Sequence, residues 1–333
     1  MEEIITLDYG SGGLKTSQLI EEVILPAFGN RELSRMGDGA VLADLGGPAV
    51  FSTDSFVVSP WRFPGGDIGK LAVCGTVNDL CMAGGLPKYL SFSVILEEGF
   101  LLEDFRAIVH SAAETAKAAG VELVTGDTKV VERGRGDGIY INTAGIGVLR
   151  AAGLGREAIC PDDVVMISGT VGCHGAAVLM ARGELPLQGD LRSDCMTLHC
   201  LSAAALEAGG VRILRDPTRG GVATTLNEFV EGGPLSVELD ETAIPRDATV
   251  ETACDLLGLD SLYSACEGRM LAVVAPDRAE AVLAALRETP GGESAACIGH
   301  ISRQYPGQVV LRTALGGSRI LGKLTGAQLP RIC

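Results

Sequence analysis

Apolar and polar residues alternate along the chain with two different periods, which predict strands and helices in turn. Residues 102–119 place Phe105, Ile108 and Ala112 at the three- and four-residue spacing of an amphipathic helix. Residues 90–96 are instead a short, largely apolar run of the kind that forms a buried strand. Because runs of both kinds follow one another through both halves, the sequence predicts layered α/β structure.

The other predicted elements follow the same two patterns. Further strands are predicted at residues 49–55, 121–125, 138–149, 164–168, 269–275, 296–301 and 308–312. Further helices are predicted from residue 68 toward residues 78–79 and at residues 176–182, 195–207, 220–230 and 277–288. The predicted fold class is therefore α+β, with two mixed α/β domains.

Glycine and proline mark the predicted domain limits. They enter at residues 151–163, so we place an N-terminal domain at residues 1–150 and a C-terminal domain at residues 151–312. Glycines at positions 316, 317, 322 and 326 interrupt any regular pattern after Thr313. We expect residues 313–333 to be a mobile tail without regular elements.

Composition and charge narrow the class of protein. The 333 residues include 42 acidic and 27 basic side chains, for a net charge of −15, which disfavours charge-driven binding to nucleic acid or anionic lipid. The chain has no apolar run long enough to cross a bilayer, and its acidic start lacks the features of a signal peptide. We therefore expect a soluble, cytoplasmic protein.

The cysteines do not form a recognisable metal site. None of the ten lies in a CxxC pair and the four histidines are scattered, so zinc-binding templates do not fit. Cys173 and His174 are adjacent, but neighbouring side chains on a helix do not face each other, which favours a glycine-bounded turn or helix start over a nucleophile–base pair. Cys333 differs from the others because it is the last residue.

Two familiar phosphate-binding motifs are incomplete. Residues 64–71 resemble a Walker loop, but Pro64 replaces the first glycine and Leu71 replaces the magnesium-binding Ser or Thr. Residues 145–150 begin like a dinucleotide fingerprint but end on Arg150. Neither motif predicts a nucleotide site.

Aspartates in turn-like contexts are better candidates for chemistry. They are Asp38, Asp54, Asp79, Asp127 and Asp216. Magnesium binds a few carboxylates together with phosphate oxygens, so aspartates that converge in the fold suit a metal–nucleotide complex, with Lys129 and Arg219 near its phosphates. The alternative for each aspartate alone is an ordinary helix cap or turn.

Several segments in order along the chain carry a family resemblance. They are Phe51-Ser52-Thr53-Asp54-Ser55-Phe56, Gly75-Thr76-Val77-Asn78-Asp79-Leu80, Val124-Thr125-Gly126-Asp127-Thr128-Lys129, Asp216-Pro217-Thr218-Arg219-Gly220-Gly221 and the ending Pro330-Arg331-Ile332-Cys333. From Gly10 onward the chain resembles the HypE family of hydrogenase maturation factors. That family belongs to the aminoimidazole-ribonucleotide-synthetase-like (PurM-like) ATP-binding superfamily.

The resemblance implies a specific activity and set of partners. It implies two PurM-like domains, a β-rich N-terminal domain that dimerises and a C-terminal α/β sandwich. It implies that a HypF carbamoyltransferase loads the terminal cysteine, which the protein then dehydrates to a thiocyanate with ATP. The cyanide would pass to a HypC–HypD complex for nickel–iron hydrogenase.

The resemblance also implies site residues. It implies ATP and magnesium as cofactors, with the five aspartates as metal ligands and the following residues at the ATP site as well: Gly10, Ser11, Gly12, Gly13, Asn78 and Arg219. Gly10–Gly13 would act as a lid. Cys333 would carry the substrate, with Glu267 as proton acceptor and Lys129 as its charge partner or a phosphate contact; without the resemblance, an ordinary ion pair is the simpler interpretation.

Two departures and two alternatives accompany the resemblance. This chain has Tyr9 and Cys266 where the family usually has a histidine and an asparagine. A superfamily relative that uses ATP on a small molecule, such as a selenophosphate synthetase or thiamine-monophosphate kinase, does not explain the terminal Pro-Arg-Ile-Cys. A cysteine-bearing scaffold or metal carrier would need clustered ligands.

Overall fold

Two large β-sheets organise the chain, one in each half. The structure is a computed structural model that describes residues 3–36, 39–42, 45–183, 190–324, 326 and 331–333. Within these residues the strands are β1 (Ala49–Phe56), β2 (Arg62–Phe63), β3 (Gly66–Asp67), β4 (Gly85–Glu97), β5 (Glu122–Val131), β6 (Ile139–Leu149), β7 (Val164–Ile167), β8 (Val211–Arg215), β9 (Ser236–Asp240), β10 (Leu271–Val274), β11 (Ala296–Ser302), β12 (Val309–Arg312) and β13 (Ser318–Leu321).

The helices pack against these sheets. They are α1 (Leu14–Leu19), α2 (Leu25–Phe28), α3 (Ile68–Met82), α4 (Leu102–Ala118), α5 (Cys173–Ala181), α6 (His199–Ala208), α7 (Gly221–Val230), α8 (Ala248–Leu257) and α9 (Ala279–Glu288). A π-helical turn at Ile20–Ile24 joins α1 to α2. In the part of the chain that the structure describes, no helix is long and apolar enough to cross a membrane.

The N-terminal sheet has a covered face and an open face. Its strand order is β1-β6-β4-β5, and α3 and α4 pack on one face. On the other face, Phe51 pairs with Ile146 and Ile95 pairs with Tyr140 across neighbouring strands. Phe51 is 65% exposed and Ile95 is 43% exposed, so large apolar side chains lie uncovered on this face.

The C-terminal sheet is the middle of a three-layer sandwich. Its order within the described residues is β13-β12-β9-β11-β7-β10-β8. Because side chains alternate along a strand, Val165 and Val273 lie in one core with α7, whereas Met166 and Ala272 lie in the opposite core with α6 and α9. The second core continues into the N-terminal half, where α3 packs on α6 and β8.

Several predicted elements are confirmed and others need correction. The helix predicted at residues 102–119 is α4. The helix predicted at residues 195–207 begins only at His199, because residues 190–198 run in an irregular path between the two halves. Residues after Thr313 contain a regular element against expectation: Gly316, with φ of +83°, makes the turn of a hairpin that pairs β12 with β13.

Candidate active site

Helix α3 carries two predicted site residues to the junction between the halves. Asp67 caps its start by accepting from Gly69 N at 2.8 Å and Lys70 N at 3.0 Å. Near its other end, the buried Asn78 side chain donates to Met196 O at 3.1 Å and to Glu267 O at 3.3 Å. Asn78 therefore joins the two halves and fixes the Glu267 carbonyl.

Three predicted aspartates lie close together at this junction. Ser52 Oγ donates to Asp79 Oδ2 at 2.7 Å, and Asp54 follows on the same face of β1. Burial raises the pKa of Asp54, and the Asp79 carboxylate raises it further. Burial raises the pKa of Asp216 to about 7, with repulsion from Asp79 and Asp54 adding to it. Burial and the neighbouring carboxylates thus disfavour the ionised forms of Asp54 and Asp216 unless a cation is present.

Glu267 lies beside these aspartates and is only 2% exposed. Its backbone N–H donates to Asp194 Oδ1 at 3.0 Å, and its Oε1 has no hydrogen-bond partner among the described residues. Burial raises the pKa of Glu267 well above its ordinary value, and the charges of Asp216, Asp194 and Asp54 raise it further. Burial and the neighbouring carboxylates therefore disfavour the ionised form of Glu267 in this structure.

The chain terminus docks at the same junction. Val57 N donates to Cys333 O at 3.1 Å and Ser59 N donates to Arg331 O at 3.2 Å, while Arg331 Nε donates to Val57 O at 3.0 Å. Arg331 also forms an ion pair with Asp137. The last residues thus lie like an added strand along residues 57–59, which follow β1.

Docking places the Cys333 thiol among the buried acids. Burial raises the pKa of Cys333 to about 12, and the charges of Glu267 and Asp54 raise it while Arg219 lowers it. The predicted residues Cys333, Glu267 and Arg219 are therefore neighbours. We call the set Asp54, Asp79, Asp216, Arg219, Glu267 and Cys333 the junction site.

The other predicted residues lie at a second place, along β5. Lys129 Nζ donates to Asp127 Oδ1 at 2.8 Å, with the two side chains 61% and 59% exposed. Both line a cavity of about 250 Å³ together with Gly10 and Gly12. Ser11 Oγ donates to Asp8 O at 2.9 Å in the same segment. We call the set Gly10, Ser11, Gly12, Gly13, Asp127 and Lys129 the β5-edge site.

The fold explains this division. Asp54 on β1 and Asp127 on β5 lie at opposite edges of the sheet, three strand spacings or about 14 Å apart. Asp54 lies near Gly75 of α3, whereas Asp127 pairs with Ser93 on the open face. A single chain therefore does not bring all the predicted aspartates to one metal ion.

Lys129 is not found beside Glu267, where the sequence predicts it to act. Lys129 pairs with Asp127 and not with Glu267, so the ion pair considered from the sequence does not form within one chain. Asp38 lies outside the described residues. Among the described residues, no group of three or more His, Cys, Asp and Glu side chains has the arrangement of a complete metal site.

Known proteins resemble the whole chain. The family described as AIR synthase related protein, N-terminal domain, matches residues 36–149, and the corresponding C-terminal domain family matches residues 161–312. A carbamoyl dehydratase HypE from Cupriavidus necator is 49% identical over 335 residues, covering 99% of this chain and 95% of that protein. A carbamoyl dehydratase HypE from Escherichia coli is 45% identical, covering 99% of both.

Solved structures agree with these sequence matches. HypE in complex with ATP superposes with a TM-score of 0.94 and 46% identity over 98% of this chain and 99% of that one. The HypE–HypF complex contains a chain with a TM-score of 0.80 and 44% identity, covering 92% of this chain and 99% of that one. The chain therefore belongs to the HypE family of hydrogenase maturation proteins, which are carbamoyl dehydratases.

Proposed function

We propose that the protein carries its substrate on its own last residue and dehydrates S-carbamoyl-Cys333 to S-cyano-Cys333 with ATP and magnesium. The observation that carries this proposal is the docking of Cys333 beside Glu267, Asp54 and Arg219. A docked thiol bearing a carbamoyl group would present that group to the carboxylates. The HypE structure with bound ATP supports the choice of nucleotide.

The reaction needs phosphate transfer and removal of two protons. The carbamoyl oxygen attacks the γ-phosphoryl group of ATP, ADP departs as the leaving group, and one N–H proton is released. The C–O bond then breaks, phosphate departs with the oxygen, and the second proton leaves as the nitrile forms. Glu267, in its ionised form, is the proposed acceptor of a nitrogen proton. Among the neighbouring carboxyl groups, it is the one whose charge raises the pKa of Cys333 most.

The donor set of the junction site fits magnesium. Asp54, Asp79 and Asp216 offer hard oxygen ligands, and the raised pKa values of Asp54 and Asp216 indicate that a bound cation would stabilise the ionised forms of these two groups. Magnesium usually takes one or two carboxylates and completes its shell with water and phosphate oxygens, so a complete protein cage is not needed. The bound cation would favour the ionised form of Glu267 and offset phosphate charge.

A second copy of the chain would complete the site. We propose that homodimers form through the open face of the N-terminal sheet, whose uncovered apolar side chains include Phe51 and Ile95. The partner chain's β5-edge site would then supply Asp127, Lys129 and the Gly10–Gly13 lid to the junction site, with Asp38 as a further ligand. The two edges of one sheet are too far apart to do this in a single chain.

The terminal cysteine would exchange its substrate and product with other proteins. We propose that a HypF carbamoyltransferase loads Cys333, as the solved HypE–HypF complex supports, and that a HypC–HypD complex receives the cyanide. Residues 1–150 and 151–312 would act as domains in the cytoplasm, and because β13 holds residues 318–321 in the sheet, the moving part of the tail would begin after Leu321. The twelve residues after Leu321 reach about 40 Å when fully extended, at ~3.3 Å per residue, which allows a visit to a partner.

Intact mass spectrometry tests the proposed function. We expect the protein incubated with carbamoyltransferase, carbamoyl phosphate and magnesium–ATP to gain one carbamoyl group and then lose one water. Omitting ATP after carbamoylation should leave the carbamoylated mass unchanged. A water loss that proceeds without ATP, or a modification that peptide mapping places away from Cys333, would contradict the proposal.

A further inference from the structure

The docked terminus contacts side chains for which the reaction chemistry gives no role. His174 Nε2 lies 2.7 Å from the carbonyl oxygen of Ile332, the residue next to Cys333. Arg182 donates to Arg331 O at 2.7 Å and to Ser59 O at 2.7 Å. The C-terminal half of the chain therefore binds the peptide backbone of the terminus, independently of the thiol.

The hydrogen bonds around His174 fix which ring nitrogen carries the proton. Ser193 Oγ accepts from Cys195 N at 3.0 Å, and it lies 2.8 Å from His174 Nδ1. Ile332 O can only accept a hydrogen bond, so Nε2 must carry the proton and donate it to this carbonyl. In a neutral imidazole Nδ1 is then an acceptor, and Ser193 Oγ, which accepts from Cys195 N, donates its own proton to Nδ1.

The surroundings favour a neutral, immobile ring. His174 is fully buried at the start of α5, and the ring of Phe63 packs edge-on against it with centroids 5.2 Å apart. Burial lowers the pKa of His174 to about 4, with the bond to Ile332 opposing the shift. Ser193 is itself tied to the N-terminal half, since its backbone N–H donates to Pro64 O at 2.8 Å.

The same short segment also holds the proposed base. Asp194, between Ser193 and Cys195, accepts from the backbone N–H of Glu267 at 3.0 Å. Its side chain is completely buried and lies 3.6 Å from Arg269 Nε. The positions of the substrate-bearing terminus and of Glu267 are therefore both set by consecutive residues of one loop.

We propose that His174 is a positioning residue that holds the Ile332 peptide, and with it the modified Cys333, in register with Glu267, and that Ser193 keeps His174 in the required Nε2–H form. This inference rests on the proposed function for its catalytic consequence. The contact itself is independent of that function. It predicts that removing either side chain slows dehydration without weakening ATP binding.

Nitrogen-15 NMR of histidine-labelled protein tests the contact without any chemistry. We expect His174, assigned by comparison with His174→Gln, to show an Nε2–H ring whose resonance shifts when the chain is shortened to end at Pro330. Ser193→Ala should produce a mixture of ring forms. Ser168→Ala is the matched control, because Ser168 is also buried and accepts from a backbone N–H, that of Met270 at 2.9 Å. An Nδ1–H ring, or a resonance indifferent to the shortened terminus, would overturn the proposal.

Single-turnover dehydration of purified carbamoylated protein tests the consequence. At saturating ATP we expect His174→Ala to react roughly tenfold to a hundredfold more slowly, because small displacements of a reacting group are costly. Ser193→Ala should be affected less, and His174→Gln should recover part of the rate because its amide can donate to Ile332 O. ATP affinity should stay unchanged in all three variants.

The two kinds of failure are distinguishable. If the unmodified sequence forms no cyanated product, the proposed function is wrong, and the NMR experiment still decides whether His174 holds the terminus. If it reacts normally and folded His174→Ala and Ser193→Ala both react within twofold of it, the positioning role is wrong. Ser168→Ala, which should react at the normal rate, controls for loss of a buried hydroxyl.

Discussion

The junction site and the β5-edge site contain the same kinds of residue in opposite environments. At the junction site, Asp216 and Glu267 are buried, and their pKa values are raised by desolvation and by repulsion from neighbouring carboxylates. At the β5-edge site, Asp127 and Lys129 form an exposed ion pair. Burial therefore makes the first site dependent on a proton or a cation, whereas solvent satisfies the second.

This difference in burial indicates that the two sites have different functions. A cation stabilises a cluster of buried carboxylates most, because it offsets both their mutual repulsion and the hydration that burial has removed. An exposed pair is free to change partners when another surface covers it. The β5-edge site is thus suited to act across an interface, and the junction site to hold the reacting group.

Removal of the terminal thiol is expected to have the largest effect. Cys333→Ala should abolish both the carbamoyl and the cyano mass shifts, because no other atom carries the substrate, while ATP affinity stays nearly unchanged. Cys200→Ala is the matched control, since Cys200 is a free, exposed cysteine that lies outside both sites. Any cyanated Cys333→Ala protein in the intact mass spectrum would place the chemistry on another cysteine.

Neutralising the junction site's proposed base comes next. Glu267→Gln keeps the shape of the side chain but cannot accept a proton, so dehydration should slow by roughly a hundredfold to ten-thousandfold. Carbamoylated protein should accumulate, and ATP should still bind. The measurement is the rate of water loss followed by mass spectrometry; cyanation at the normal rate would exclude Glu267 as the acceptor.

Mixing variants of the two sites tests whether they meet between chains. Lys129→Ala and Glu267→Gln proteins should each be nearly inactive. If Lys129 serves the partner's junction site, each mixed dimer has one intact site, so random mixing should restore about a quarter of the activity. The control is each variant refolded alone. No recovery in dimers that have demonstrably exchanged would mean that the two residues act within one chain or not together.

Local patterns account for the parts of the fold that the sequence predicts well. Helix α4 follows its amphipathic spacing because one face packs on the sheet along its whole length. Helix α6 starts later than predicted for a long-range reason: Asn78 accepts from Leu198 N at 2.7 Å, which holds the preceding residues in an irregular path. The sequence around Leu198 contains no sign of that partner 120 residues away.

The sequence identifies candidate site residues through local motifs but does not show which of them lie together in the fold. The terminal cysteine and the junction aspartates stand out in their motifs, but the strand order that separates Asp54 from Asp127 is set by pairing between distant segments. The sequence favours a glycine-bounded turn or helix start for Cys173 and His174, and α5 does begin at Cys173 after Gly172, with φ of +77°, three residues before the predicted helix at residues 176–182. Its contact with Ile332 spans 158 residues and has no local signal.

The cost of ionising the buried Asp216 carboxyl group should make the free energy of unfolding depend on pH. Its pKa is about 7 in the fold but near 3.8 when exposed, so between these values the folded state keeps a proton that the unfolded state has lost. Stability from this group is therefore greatest below pH 4 and falls as the pH rises to about 7. Asp216→Asn should remove this loss, which is at most roughly 4 kcal/mol.

Urea unfolding at pH 4.5 and 8, at fixed protein concentration, measures this change. The stabilisation by Asp216→Asn should grow with pH, whereas Asp127→Asn at the exposed site should show no such growth. Adding magnesium at pH 8 should reduce the difference in the free energy of unfolding between the unchanged protein and Asp216→Asn. Equal stabilisation at both pH values would mean that the carboxyl group is not held protonated by burial.

The smallest effect is expected on stability at the β5-edge site. Because both members of the Lys129–Asp127 pair are more than half exposed, solvent screens their attraction, and Lys129→Ala should change the free energy of unfolding by less than about 0.5 kcal/mol. The same substitution should nevertheless abolish most dehydration activity, because its proposed role arises only when a partner chain covers it. Urea unfolding and single-turnover rates measured on one preparation separate the two effects. A loss of stability above about 1 kcal/mol would show that Lys129 supports the fold, and its effect on activity would then no longer support a role across the interface.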